Sequence, residues 1–293
     1  MVRNQSLSLS LDQKNALNHI LSWYKKDKKR KQYINLGGYA GTGKTTLIAV
    51  LRKGLHKKNK KLKVGFASYT GKAARVLRTK LDEEKIKYPQ DTIGTIHSLI
   101  YSPLLDKNEE IIGWKKKDKI NRNLIIIDEA SMVDETIWRH LLSYHVPIVL
   151  VGDHGQLPPI KGQLNLMQKP DLTLINIHRQ AKENPIIELS NQARKNGAIK
   201  YGDYSDFVKK YHLNENGTQE IINNFLSNYN KNTMILCGYN HTRRRLNNLI
   251  RSALGFTSPE PSLNDRVICL RNNHTKKIYN GMLGTILKIT DKN

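Results

Sequence analysis

The chain has 293 residues, of which 38% are hydrophobic, and 49 Lys+Arg set against 25 Asp+Glu give it a net charge of +24. That length allows two ordinary domains with their own cores, and modest Gly (19) and Pro (9) contents exclude a low-complexity chain. Apolar runs such as Leu124–Ile127 are far shorter than the roughly 18–20 residues of a membrane span, and the opening MVRNQSLSLSLDQ carries no apolar stretch of the secretory kind. Cys237 and Cys269 form neither a ligand-like spacing nor a disulfide framework, which fits a reducing cytosol. Solubility needs far less charge than this, so the excess points to a polyanionic partner. Two basic runs concentrate it, Lys25–Lys31 and Arg52–Lys63, each read by itself as a solvated patch.

In chain order, Leu11, Ala16, Leu17, Ile20 and Leu21 recur at helical spacing up to Trp23. A short strand, Tyr33–Leu36, runs into a glycine-rich loop. It is followed by a helix from Lys44 to about His56, a strand at Lys63–Ser68 and a helix at Gly71–Leu81. Pro103–Lys119 is polar, contains Trp114 and turns near Asp106–Asn108, as a small inserted β-hairpin would. Leu124–Ile127 and Ile148–Val151 are nearly continuous apolar runs, suited to strands buried on both faces of a parallel sheet. A second, shorter set follows: strand Leu172–Ile177, helix Pro185–Arg194, strand Thr233–Gly238 and helix Thr242–Ala253. Asp265–Leu270 and Met282–Ile289, joined through Asn280-Gly281, then read as β structure. Strands alternating with helices predict a three-layer α/β fold.

Gly38-Tyr-Ala-Gly-Thr-Gly43-Lys44-Thr45 fits the full phosphate-loop pattern between a strand and a helix. Its glycines let backbone N–H groups turn inward around phosphates, and the following helix aims its positive end at them. Lys44 brings a cation to the β/γ oxygens and the Thr45 hydroxyl is a ligand for Mg²⁺. The expected ATP contacts are Gly38, Ala40, Gly41, Thr42, Gly43, Lys44, Thr45 and Thr46. Leu124-Ile-Ile-Ile-Asp128-Glu129 supplies the second half: Asp128 to hold Mg²⁺ through water, Glu129 as general base on the attacking water. Gly152-Asp-His-Gly155-Gln156-Leu-Pro-Pro also follows an apolar strand. There Gln156 is an uncharged group able to sense the γ-phosphate, although Gly-Asp and Pro-Pro are equally turn chemistry.

Gln13, GYAGTGKT, SYTGKAARVL, TIHSLI, IIIDEAS and GDHGQLPPI stand in the order of the superfamily-1 helicase motifs, and HRQ and GYNHTRRRLNNLIR continue it. From about Leu11 onward the chain resembles the RecD/Dda branch of those helicases, whose members move 5′ to 3′ on single-stranded DNA. The resemblance implies a RecA-like P-loop domain over residues 1–171, with a hairpin insertion at about 101–120. It further implies a partial second RecA-like lobe over 172–258 and the start of an SH3-like β insertion over 259–293. It assigns Gln13 to the adenine base and Arg179 to the γ-phosphate, and it places Thr70, Lys72, His97, Asn240 and Arg243 on DNA. His97 also reads as a satisfied polar group beneath the strand, and Arg243–Arg245 as a solvated helix start. Trp114 reads either as a strand-splitting pin or as packing within its hairpin. Tyr69 stands where the family usually has Pro and could stack on a base.

A later His-x-x-Gln-Gly type segment and a Thr-Arg motif of that family do not occur in this sequence, so the second lobe is expected to lack central strands. The resemblance implies an ATP-dependent helicase or translocase using ATP and Mg²⁺. Its expected partners are single-stranded DNA, duplex/single-strand junctions and helicase-nuclease, replication or recombination proteins, in a cytoplasmic, bacterial or phage-like setting. An ATP-gated nucleic-acid-binding fragment without unwinding is the alternative. A small-molecule kinase fits less well, since no acceptor-substrate motif accompanies the +24 charge.

Overall fold

A computed structural model describes residues 9–290, apart from 108–110, 158, 160–163, 177–183, 215–216, 231, 271–275, 277 and 279. The chain divides into two compact units, Met1–Gln180 and Ala181–Asn293.

In the first unit, α1 (Leu11–Lys26) starts from a capping box made by Ser10 and Gln13, with Asp12 in its first turn and Lys25 and Lys26 in its last. Those charges oppose the helix dipole at both ends. Its buried residues Gln13, Ala16, Ile20 and Trp23 fall on one face. There follow β1 (Tyr33–Gly38), α2 (Lys44–Lys58), β2 (Val64–Ser68), α3 (Gly71–Glu83), β3 (Thr92–Thr95), α4 (Ile96–Ile100), the hairpin β4 (Tyr101–Leu105) and β5 (Ile111–Lys116), β6 (Leu124–Asp128), α5 (Glu135–Leu142), β7 (Ile148–Gly152) and β8 (Leu172–Leu174). Six of these strands form one parallel sheet in the order β3-β2-β6-β7-β1-β8.

The pleat explains why the strand runs are apolar throughout. Leu124, Ile126, Val149 and Val151 face α1, α2 and α3, packing with Ile20, Leu47, Leu51 and Leu77. Ile125, Ile127, Ile148 and Leu150 face the other way, onto Ile96, Ile100, Ile137, Trp138 and Leu141. Both faces are covered, as an all-parallel sheet requires. The expected three-layer α/β architecture is therefore present, and the inserted hairpin forms with Pro103 opposite Trp114.

Two expectations for this unit are corrected. Leu172–Ile177 was assigned to the second lobe, but the strand is Leu172–Leu174 and it pairs with β1, extending the first sheet. The basic run from Arg52 is not wholly a solvated patch either. Arg52 is fully buried, and its guanidinium grips Asp91 through Nε at 2.8 Å and Nη2 at 3.0 Å. Nη2 also donates to the Leu62 carbonyl, and the Asp91 carboxylate accepts from the backbone N–H of Val64 and Tyr88. This pair ties the helix that follows the phosphate loop to the start of β2.

The second unit contains α6 (Pro185–Asn196), the pair β9 (Gly202–Ser205) and β10 (Val208–Lys210), α7 (Thr218–Ser227), α8 (Asn240–Ala253) and the pair β11 (Arg266–Ile268) and β12 (Leu283–Thr285). Asn184 caps α6 by accepting from Ile186 N–H, Pro185 opens it, and Gly197 at φ 67° ends it. Leu226 and Ile250 are buried, and Arg251 pairs with Asp265. The strand expected at Thr233–Gly238 does not form: Met234 is 69% and Leu236 85% exposed. An apolar run becomes a strand only where a neighbour takes up its N–H and C=O groups, and no described strand of this unit pairs with it.

Candidate nucleotide and catalytic site

The parallel sheet brings the carboxyl ends of β1, β7 and β6 side by side, with β7 in the middle. The three sequence motifs continue from those three ends. This is the edge at which open α/β sheets bind ligands.

From β1, the chain turns through Gly41 (φ 87°) and Gly43 (φ 79°) into α2. A Cβ at Gly38 would lie 2.6 Å from the Thr42 hydroxyl, so the loop closes on itself too tightly for any other residue there. Thr42, fully buried, donates to the Tyr39 carbonyl from Oγ1 at 2.9 Å. The Lys44 ammonium folds back over the loop, donating to the carbonyls of Gly38 (2.7 Å) and Tyr39 (3.0 Å). Ala40 is exposed at the loop apex, while Gly41, Gly43, Lys44, Thr45 and Thr46 are partly exposed. Gln13 is only 4% exposed, and both ends of its amide are engaged: Oε1 accepts from Ser10 N–H, and Nε2 donates to the Thr42 carbonyl at 2.9 Å.

At the end of β6, burial and the adjacent Glu129 charge push the Asp128 carboxyl up to about 6, against the opposing pull of the Glu129 N–H and Lys44. Glu129 itself is held in the left-handed region at φ 56°, ψ 43°. Its Oε2 accepts from Gln156 Nε2 at 3.3 Å, and Gln156 Oε1 accepts from the Ser131 hydroxyl at 2.8 Å. Ser131 thereby fixes which end of the Gln156 amide faces Glu129. After β7, the buried Asp153 carboxylate accepts from Gly155 N–H at 2.8 Å and shapes the turn that presents Gln156. The His154 ring lies 4.3 Å from the Tyr39 ring, so this turn also touches the phosphate loop.

The donor set fits a magnesium-bound nucleoside triphosphate. The loop closure needs glycine, and burial, with the adjacent Glu129 charge second to it, favours the neutral form of Asp128 in a site that a cation would complete. Thr45 and Asp128 offer hard oxygens. Among the described residues no three His, Cys, Asp or Glu side chains converge as a protein-only metal cage, and Mg²⁺ ordinarily completes its shell with phosphate and water.

The first-unit candidates for DNA follow β2 and β3, at the same edge of the sheet. Thr70 caps α3, its hydroxyl accepting from Ala73 N–H at 3.2 Å, and Lys72 is exposed. His97 lies on α4 with its ring 5.3 Å from Tyr101 and 6.4 Å from Trp114, which is 51% exposed. Tyr69 is partly buried and packs against the core on the α4 and α5 face. In the second unit, Asn240 and Arg243 are exposed in the first turn of α8, Arg243 beside the equally exposed Arg244 and Arg245. Arg179 lies outside the described residues. The sequence reading missed Ser131, although it directly follows the Asp-Glu-Ala of its motif, and it missed the contact between Tyr39 and His154.

Fold and loop together define a RecA-like P-loop domain. Residues 8–212 match the AAA_30 family (AAA domain), and the chain belongs to that family. Among curated proteins it is 28% identical over 281 residues to the ATP-dependent RecD2 DNA helicase of Deinococcus radiodurans, covering 87% of this chain and 36% of that protein. It is 34% identical over 169 residues to the RecBCD enzyme subunit RecD of Buchnera aphidicola, covering 50% of this chain and 28% of the relative. To the ATP-dependent DNA helicase dda of Enterobacteria phage T4 it is 28% identical over 215 residues, covering 68% and 45% respectively. These relatives bear out the resemblance to the RecD/Dda branch. The chain spans between about a quarter and a half of their lengths. No described helix is long and apolar enough to cross a membrane.

Proposed function

We propose that this chain is the ATP-binding part of a DNA helicase or translocase that moves 5′ to 3′ on single-stranded DNA. The observation that carries the reading is the order of side chains along one sheet edge. Lys44 follows β1, Gln156 follows β7, Asp128 and Glu129 end β6, and Thr70, Lys72 and His97 follow β2 and β3. Nucleotide groups and candidate strand contacts thus share a single rigid scaffold, which is what coupling hydrolysis to DNA grip requires.

In this reading the phosphate loop from Gly38 to Thr46 holds the triphosphate, with Lys44 leaving its carbonyl partners for phosphate oxygens. Gln13 lies close enough through Thr42 to feel the base side of the loop. Thr45 and Asp128 would hold Mg²⁺, which neutralises charge on the β- and γ-oxygens when bound. Glu129 takes a proton from water, and Gln156, aligned by Ser131, reports the state of the site. Arg179 offers a second cation to the transferring phosphoryl group. The second unit contributes Asn240 and Arg243 to DNA as part of a second RecA-like lobe, with β11 and β12 opening an SH3-like insertion. Such a motor belongs in the cytoplasm, alongside replication or recombination proteins.

Lys44→Ala is expected to weaken ATP binding by about 10–100-fold, the worth of a charge-assisted contact, and to abolish DNA-stimulated phosphate release. Titration with a fluorescent nucleotide and a phosphate assay with saturating oligonucleotide check both. An ATPase rate in the parent chain that ignores single-stranded DNA would contradict the motor reading.

The net charge of +24 makes a second expectation. Affinity for a single-stranded oligonucleotide should fall by about 10–100-fold between roughly 50 and 200 mM salt, because phosphate contacts release counterions. Fluorescence anisotropy across that range measures it, and a flat response would exclude a phosphate-gripping surface.

A further inference from the structure

The first turn of α1 holds two distant parts of the first unit at once. Asp12 Oδ2 accepts from the backbone N–H groups of Ile175 and Asn176, each at 3.1 Å, although they lie 163 and 164 residues away. Its Oδ1 accepts from Gln13 N–H at 3.0 Å and from the Ser10 hydroxyl. The next residue, Gln13, reaches the Thr42 carbonyl of the phosphate loop. Ile175 and Asn176 follow β8 directly and precede the division between the two units at Gln180 and Ala181.

Packing does not hold this segment. The Ile175 side chain is 73% exposed, so the segment is held through Asp12, which takes both backbone N–H groups and a further hydrogen bond from the Asn176 side chain. The residue before it, Leu174, is fully buried and stands in register with Gly38, where an added Cβ would meet the Leu174 Cβ at 3.1 Å. The loop is therefore touched at both ends by parts that converge on residues 174–176: at Gly38 through the sheet, and at Thr42 through α1. An acidic residue in a helix's first turn is ordinarily explained by the helix dipole. That role needs only a charge, and it leaves unexplained why one carboxylate oxygen takes two backbone N–H groups from the far end of the unit.

We infer that Asp12 is a positioning residue that joins the phosphate loop to the root of the connection between the two units, so that nucleotide on the loop is registered at Ile175 and Asn176. This rests on the reading of the loop as the ATP site. The hydrogen bonds from Ser10, Asn176 and Ile175 outweigh the effect of burial and hold the Asp12 carboxyl well below the usual carboxylate range, so the link is ionised throughout the working pH range.

The test is hydrogen exchange read by mass spectrometry on the 293-residue chain, with and without a non-hydrolysable ATP analogue and Mg²⁺. In the parent chain the analogue is expected to slow exchange at amides 175 and 176 by about tenfold, by making local opening of bonds already present about 1.4 kcal/mol harder. Asp12→Ala should bind the analogue within about threefold of the parent, yet show fast exchange at those amides that nucleotide no longer alters. Asp12→Asn, which keeps one acceptor oxygen, should restore part of the response. Nucleotide-dependent protection that persists in Asp12→Ala would overturn the inference, as would an affinity that collapses in step with a lost melting transition, since Asp12 would then only hold α1 in place. A parent chain that does not bind the analogue overturns the ATP reading and this one with it. Binding without any change at 175 and 176 overturns the coupling alone.

Discussion

Glu129→Gln is expected to leave nucleotide affinity within about threefold of the parent and to lower DNA-stimulated turnover by about 10³-fold, the middle of the range for a lost general base. The substitution keeps the shape of the side chain and an oxygen able to accept from Gln156 Nε2, which now lies 3.3 Å from Oε2. It removes the proposed proton acceptor. It also removes the neighbouring negative charge that, after burial, helps push Asp128 up to about 6, so Asp128 ionises more readily. The two effects run in opposite directions on binding and chemistry, which makes the experiment informative. Nucleotide titration and single-turnover phosphate release, run side by side, separate them. A variant that turns over within about tenfold of the parent would remove Glu129 from the chemistry.

The largest expected effect on stability lies away from that site. Asp91→Ala leaves the fully buried Arg52 guanidinium without its carboxylate and should destabilise the first unit by about 3–5 kcal/mol. The double replacement Arg52→Met with Asp91→Leu removes both charges together but still leaves the Val64 and Tyr88 N–H groups and the Leu62 carbonyl without these partners, so it should recover only part of the loss and lie about 1–3 kcal/mol below the parent. Urea unfolding followed by tryptophan emission isolates the effect, because Trp23, Trp114 and Trp138 all belong to the first unit. Equal loss in the single and double variants would mean that packing around these positions matters more than the unpaired charge.

The contrast between those two sites shows what the sequence makes readable. The phosphate loop and the Asp128-Glu129 pair are local patterns: a strand, a turn and a charged residue within a few positions, each with its own physical reason. They were legible, and so were the buried strands around them, because apolar runs on both pleat faces leave few alternatives. The bond between Arg52 and Asp91 joins residues 39 apart, and nothing local distinguishes Arg52 from the lysines that follow it. It was read as a solvated patch. Thr233–Gly238 failed for the opposite reason: its composition suits a strand, but strand formation also depends on a neighbour, which local composition cannot report. The assignment of Leu172 to the second lobe failed likewise, since only pairing with β1 shows where that strand belongs. Asp12 was passed over because its two backbone partners lie at the far end of the unit.

The left-handed backbone at Glu129 has a consequence for how this protein tolerates change. A glutamate at φ 56° carries a conformational penalty of about 1–2 kcal/mol that glycine would not. Glu129→Gly should therefore yield a protein that melts slightly higher and turns over ATP about 10³-fold more slowly. Screening for thermal resistance alone would favour such inactive variants, so improving this chain's durability by selection requires that ATP turnover be scored in the same round.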